Sequence, residues 1–520
     1  MADLVQTSET KESVLTNQKH ESGFFDTEYL KSDLKGRSVR GGTITMTAQV
    51  IKFVLQIGST VVLARLLTPQ DYGLVAMVTV ISGFVALFKD MGLSMATIQK
   101  AEINHSQVST LFWINVAVSL VLALVLAVTA PIISWFYGEP RLTRITLALA
   151  GTFIFSGLTV QHQALLQRQM RFSALAAIEI GSLIISIVVG IALAWYGAGY
   201  WALVGSSVAL SVSYAVLVWV FCGWRPGLPL RRAGVRPMLA FGGHLTGFGI
   251  VNYFARSLDH ILLGRFWGAN VLGLYSKAYN LFMLPIAQIR GPLTVVALPA
   301  LSGLKNDPNR YTKYYCKFAF ILAFITMPLM GFLFLCSENI IRLVLGSKWL
   351  GANAIFKILA IAGFIQSVET VAGIVLLSMG LSKRYLIWGA LRSVFFVVSF
   401  FLGIPWGAAG VAASYTIAQY LIMIPSLWYA FRQTSISVVV FLKTLTGPAI
   451  SSLATTFIMF LFYKFMLVGQ SDIVSIGLCL SLGTAIYLVI WVLTPGGIHI
   501  IRELCSYVFL LMDKKYAQSM

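Results

Sequence analysis

Residues 43–66 read TITMTAQVIKFVLQIGSTVVLARL. As an α-helix this stretch extends about 36 Å, enough to cross the roughly 30 Å of hydrocarbon in a bilayer. Gln49, Lys52, Gln56 and Ser59 are spaced i, i+3, i+7, i+10, which puts all four on one helical face. An apolar helix carrying a polar stripe with a lysine near its centre fits a bundle whose interior is wet. It does not fit a helix surrounded by lipid, where a mid-bilayer lysine costs about 2.5–3.5 kcal/mol.

Similar apolar stretches follow at roughly 72–90, 108–136, 142–166, 174–196, 200–221, 238–263, 271–299, 314–335, 352–378, 385–404, 406–430, 444–467 and 472–493. The sequence therefore predicts an all-α integral membrane protein of about 14 transmembrane helices. Composition agrees: 58% of the 520 residues are hydrophobic and 11% are charged, against about 25% charged in soluble domains. Residues 1–40 are polar, mixed in charge and without helical periodicity, and lack the pattern of a signal peptide. They read as a disordered cytoplasmic tail. Residues 496–520 read as an amphipathic, interfacial cytoplasmic tail.

Lysine and arginine total 38 against 19 acids, a net charge of +19. With spans drawn as above, 25 basic residues fall in loops and tails on one side and four (Arg141, Arg144, Arg342 and Lys348) on the other. The positive-inside rule puts both termini in the cytoplasm. The excess charge then orients the protein, and a nucleic-acid binder is excluded. Cys222, Cys316, Cys336, Cys479 and Cys505 are scattered and form no Cys/His cluster. Neither a metal site, a cofactor site nor a catalytic constellation is expected, and the chain does not read as an enzyme.

The chain also repeats itself. Leu63-Ala64-Arg65, seven residues, Gly73-Leu74 recurs as Leu263-Gly264-Arg265, seven residues, Gly273-Leu274. Ser156-x-x-Thr159-Val160-x4-Leu165-Leu166 recurs as Ser367-x-x-Thr370-Val371-x4-Leu376-Leu377. The turn Gly197-Ala198-Gly199 has a weaker counterpart in Gly407-Ala408-Ala409-Gly410. Two parallel six-helix repeats with two extra C-terminal helices follow: an N-lobe at 41–222, a linker at 223–237, a C-lobe at 238–431 and spans 13 and 14 within 432–495. Parallel repeats about an axis along the membrane normal are a transporter architecture.

At the repeat offset, the first span's polar stripe corresponds to Asn252, Arg256 and Asp259, with His260 beside them. Lys52, Gln56, Asn252, Arg256, Arg290 and Arg392 are the candidate cavity residues. In-span acids are fewer, Glu179, Asp259 and Glu369, so the interior counts net positive. Such a cavity suits a phosphate-bearing or acidic-sugar ligand, since Lys and Arg hold phosphate oxygens by charge-assisted hydrogen bonds. Structural roles stay open beside this: Arg256 can pair with Asp259 or His260, and Arg392 with Glu179 between halves. Glu369 is either a coupling-ion site, as is Asp259, or a hydrogen-bonded interhelical acid.

The run Val62-Leu63-Ala64-Arg65-Leu66-Leu67-Thr68-Pro69-Gln70-Asp71-Tyr72-Gly73-Leu74, then Asp90-Met91-Gly92-Leu93, resembles the start of Wzx-type polysaccharide flippases. Ala297-Leu298-Pro299-Ala300-Leu301-Ser302 and Leu345-Gly346-Ser347-Lys348-Trp349 strengthen the resemblance, which covers residues 37 to about 495. These proteins belong to the multidrug/oligosaccharidyl-lipid/polysaccharide exporter superfamily. The resemblance implies a two-lobed transporter that flips an undecaprenyl-diphosphate-linked oligosaccharide repeat unit from the cytoplasmic to the outer leaflet, for lipopolysaccharide or exopolysaccharide biosynthesis. It also implies alternating access coupled to a proton or sodium gradient, with a polysaccharide polymerase and chain-length machinery as partners. Two rivals remain in view: a drug/cation antiporter, which would favour a net-negative cavity, and a membrane polysaccharide polymerase, which would need a larger outer loop than residues 336–351.

Overall fold

A computed structural model describes residues 34–500 and Arg502, apart from Met91, Ala101, Glu102, 231–235, Thr370, Val468, Gly496 and the side chains of 34–35, 37–39, 236–252 and 254–256. Most of the two expected tails lies outside the described residues. Every regular element among the described residues is helical. The chain divides into two compact units, Met1–Asn270 and Val271–Met520.

In the first unit, α1 (Leu34–Leu66), α2 (Pro69–Ala86), α3 (Leu93–Gln99) and α4 (His105–Tyr137) are followed by α5 (Arg141–Gly157), α6 (Val160–Arg168), α7 (Phe172–Trp195) and α8 (Trp201–Cys222). A long helix, α9 (Arg236–Gly303), breaks at Gly268, whose φ of 79° suits glycine. Beyond it lie α10 (Pro308–Leu335), α11 (Ser337–Val344), α12 (Asn353–Glu369) and α13 (Ala372–Ser378). Then come α14 (Ser382–Gly403), α15 (Gly407–Phe431), α16 (Val438–Phe462) and α17 (Asp472–Leu493).

Local chemistry explains several of these boundaries. Thr68 caps α2: its hydroxyl accepts from the Asp71 backbone N–H, while the Asp71 carboxylate accepts from the Thr68 N–H at 2.9 Å. Pro69 sits at the first helical position, where a missing N–H costs nothing. The Thr-Pro-Gln-Asp of the motif is thus a helix start. Gly73, one turn on, packs against the backbone of Ala269, so close that a Cβ would overlap its carbonyl. The helix–helix approach, not the turn, requires this glycine.

Eleven helices among the described residues are long and apolar enough to cross a membrane. Fourteen spans were expected, and the difference has a physical basis. Spans 7 and 8 count as one apolar stretch over Ser257–Gly303, which the break at Gly268 divides into two helices. Spans 11 and 12 join through a short 3₁₀ turn into one stretch over Ser382–Phe431. Pro69–Ala86, the expected span 2, loses its first turn to polar capping residues and is not among the eleven.

The solvent of these helices is lipid. On α4, Leu120, Leu124 and Val128 repeat every four residues and are all more than half exposed, while Ser119, Leu126 and Ala130 on the other side are fully buried. An exposed apolar stripe with small and polar residues inside is the reverse of a soluble helix. In the second unit α12 packs against both α10 and α15, and the span from Ser347 to Ser378 is the most enclosed, with 76% of its apolar window buried.

The sequence repeat falls on matching features of the two units. Ser156–Val160 lies where α5 gives way to α6, and Ser367–Val371 where α12 gives way to α13. The glycine turns also correspond. Gly197 and Gly199 take positive φ between α7 and α8, and Gly407 does so at the start of α15.

Candidate functional site

The stripe on α1 faces α7, which packs against both α1 and α8. Between these helices, α5 and α6 lies a cavity of about 370 Å³ inside the first unit. Lys52 and Gln56 line it from α1, one helical turn apart. From α7 come Glu179 and Ser182, and from α8 Ser211 and Tyr214. The α5–α6 break contributes Ser156 and Thr159, with Gln163 one turn further on, and Lys89 enters from the turn after α2.

Lys52 Nζ donates to Glu179 Oε2 at 2.5 Å, and both side chains remain partly exposed, at 19% and 35%. Several hydroxyls of the wall are turned to their own helices. Thr159 Oγ1 donates to the Ser156 carbonyl at 2.7 Å, and Ser211 Oγ to the Ser207 carbonyl at 3.1 Å. Their oxygens are left as acceptors toward the cavity, while Lys89, Gln163 and Tyr214 bring donors.

The second unit holds a comparable pair. Arg392 Nη2 on α14 lies 2.8 Å from Glu369 Oε2 at the end of α12, and the Glu369 side chain is only 2% exposed. Gln419 on α15 completes a triangle, with its Nε2 donating to Glu369 Oε2 at 3.2 Å and its Oε1 accepting from Arg392 at 3.3 Å. The Arg392 guanidinium also lies over the Phe396 ring, 5.3 Å from its centroid.

The structure distributes the sequence-derived residues as follows. Lys52 and Gln56 share the first-unit cavity. Asp259 is buried in the same unit, accepting from the His260 backbone N–H at 2.8 Å and paired with His260 Nδ1 at 2.9 Å. Asn252 and Arg256 belong to α9, but their side chains lie outside the described residues. Arg290 is half-buried on α9 in the second unit. One reading of the repeat paired Arg392 with Glu179. Each takes a partner within its own unit, Arg392 with Glu369 and Lys52 with Glu179. Two of the four expected in-span cations are therefore neutralised locally. Sequence reasoning noted Glu179 as an in-span acid but left it out of the site, and it passed over Lys89, Gln163 and Gln419. Glu179 lies opposite Lys52 only because α7 packs on α1, which no spacing within one span reveals.

Residues 62–354 match the family described as "Polysaccharide biosynthesis protein". The chain belongs to this family. Among its relatives, the teichuronic acid biosynthesis protein TuaB of Bacillus subtilis is 29% identical over 403 residues, 76% of this chain and 82% of that protein. The lipopolysaccharide biosynthesis protein WzxC of Escherichia coli is 26% identical over 419 residues, 78% of this chain and 84% of that one. Among solved structures, the lipid II flippase MurJ in an inward closed conformation superposes with a TM-score of 0.71 at 15% identity, covering 86% of this chain and 97% of that one. An inward-facing multidrug transporter of the MATE family gives 0.57 at 14% identity, over 76% and 96%. At such identities the structures show a shared fold. This family member is thus an all-α, multi-pass membrane protein that shares its fold with these two structures.

Proposed function

We propose that this protein flips an undecaprenyl-diphosphate-linked oligosaccharide repeat unit from the cytoplasmic to the outer leaflet of a bacterial inner membrane. The observation that carries the reading is the first-unit cavity, where Lys52 and Lys89 stand among hydroxyl and amide side chains. Paired phosphates need cations that can give several charge-assisted hydrogen bonds, and sugars need neutral donors and acceptors. The related polysaccharide biosynthesis proteins support the class of cargo. Transport proceeds by alternating access, driven by a proton or sodium gradient, with Asp259 and Glu369 as coupling-ion candidates. Arg256 and Arg290 attract acidic groups of the cargo. The excess of basic residues in loops on one side supports cytoplasmic termini, and the flipped unit passes to a polymerase and its chain-length machinery.

A cationic-drug antiporter is disfavoured by the net positive charge of the described lining, Lys52 and Lys89 against Glu179, which would repel such a drug. A polymerase is separated by the intermediate that accumulates. Cells lacking this protein should hold lipid-linked repeat units on the cytoplasmic face, read by mass spectrometry together with accessibility to an impermeant sugar-labelling reagent. Units on the outer face would instead make it a polymerase, and no accumulation would refute both.

A further inference from the structure

The cavity contains an anion already. The Glu179 carboxylate occupies a donor direction of the Lys52 ammonium, as a phosphate oxygen would. Around this pair, three other side chains present donors to the same space: the Lys89 ammonium, the Gln163 amide and the Tyr214 hydroxyl. None of the three has a hydrogen-bond or ion-pair partner among the described residues. Among the described residues Glu179 is the only acid in the wall, so the described lining carries one net positive charge with Glu179 ionised and two with it protonated. Both members of the pair are partly exposed, so neither is sealed into a structural core.

We propose that Glu179 is a built-in stand-in for a phosphate of the cargo, and that its protonation hands Lys52 over to that phosphate. Resting on the polyprenyl-diphosphate reading above, this makes Glu179 the positioning residue through which a coupling proton acts on the diphosphate subsite. One proton adds to a carboxylate oxygen, the ion pair becomes a neutral acid beside a free ammonium, and no other bond changes. When the diphosphate leaves, Lys52 attracts an anion again, Glu179 releases the proton, and the pair re-forms. The groups facing Glu179 from the elements packed on α7 are Lys52 on α1, Tyr214 on α8 and Gln163 on α6, with Lys89 across the cavity. A phosphate and an ionised Glu179 both demand Lys52, so binding and protonation favour each other, as linkage requires. This assignment differs from Asp259 and Glu369. Asp259 is bound to its neighbour His260, and Glu369 lies in the second unit, almost fully buried with Arg392 and Gln419.

The test is calorimetric titration of the purified full-length protein in detergent with farnesyl diphosphate, with farnesol as the uncharged control. A phosphate's second proton binds near pH 6, which alone weakens binding as pH falls. The wild-type protein should nevertheless bind more tightly at about pH 5.5 than at about pH 8, by about tenfold. Glu179→Gln should bind about tenfold more tightly than wild type at about pH 8 and follow only the ligand's own weakening at lower pH. Lys52→Gln should bind weakly at both, without the rise. Binding of farnesyl diphosphate by wild type and Glu179→Gln with the same affinity and pH profile would overturn the stand-in role and leave the cargo assignment intact. No binding of farnesyl diphosphate beyond that of farnesol, by any of the three proteins, would overturn the cargo assignment and this inference with it.

Discussion

Replacing Arg392 with methionine removes a cation from beside a carboxylate that is only 2% exposed, whereas replacing Glu369 with glutamine removes the charge from beside an arginine that is 26% exposed. The two changes break one ion pair but leave very different orphans. Two unit charges about 4 Å apart attract by about 4 kcal/mol at an effective dielectric constant of about 20. Solvent at the exposed guanidinium takes roughly half of this, leaving about 2 kcal/mol for the pair. In Arg392→Met the buried carboxylate keeps only the Gln419 amide at 3.2 Å. Breaking a buried pair costs about 3–5 kcal/mol, and the retained hydrogen bond offsets about 1 of it. The expected loss is about 2–4 kcal/mol. In Glu369→Gln the guanidinium turns to water and stays over Phe396, so the loss is about 1 kcal/mol. Units of this size shift in melting temperature by about 2–4 °C per kcal/mol, so about 4–16 °C is expected for Arg392→Met and about 2–4 °C for Glu369→Gln. The double variant should be more stable than Arg392→Met alone, because Glu369→Gln removes the uncompensated charge. The assay is thermal unfolding of purified protein in detergent, followed by tryptophan fluorescence. The argument fails if Glu369→Gln is the more damaging single change, or if the two losses add.

Two other perturbations test the packing. Gly73→Ala should destabilise by about 1–3 kcal/mol, although alanine is the better helix former, because its Cβ would collide with the Ala269 carbonyl; unchanged thermal stability would refute that contact. Arg168→Met should also destabilise, by about 2–4 kcal/mol, since its guanidinium donates to the carbonyls of Thr97 and Lys100 at 3.0 and 2.5 Å and so holds the end of α3. Proteolytic sensitivity near residue 100 should rise in parallel, and a variant as protease-resistant as wild type would count against this role.

Arg168 also shows where loop-charge counting stops. By position it belongs to the basic excess that orients the chain, and in the structure it is 7% exposed and acts as a helix cap. The side of the membrane on which a basic residue lies is a property of the local chain, and whether it meets water is not.

The membrane class, the helical content and the repeat were legible in the linear chain because each depends on local information. Apolar run length decides whether a helix can cross a bilayer, and matching motifs at Ser156 and Ser367 mark matching helix breaks. The polar stripe of Lys52 and Gln56 was legible too, since helical periodicity alone puts them on one face. Partner choice was not. Glu179 lies 127 residues from Lys52 and Gln419 lies 50 residues from Glu369, distances over which sequence carries no register. The packing of α7 on α1, and of α15 on both α12 and α14, decided which charges meet. The in-span cations are therefore not simply a positive patch. Lys52 and Arg392 were each expected as cations, and the folded chain supplies each with its own carboxylate, because separated charges cost so much more in a low-dielectric interior than paired ones.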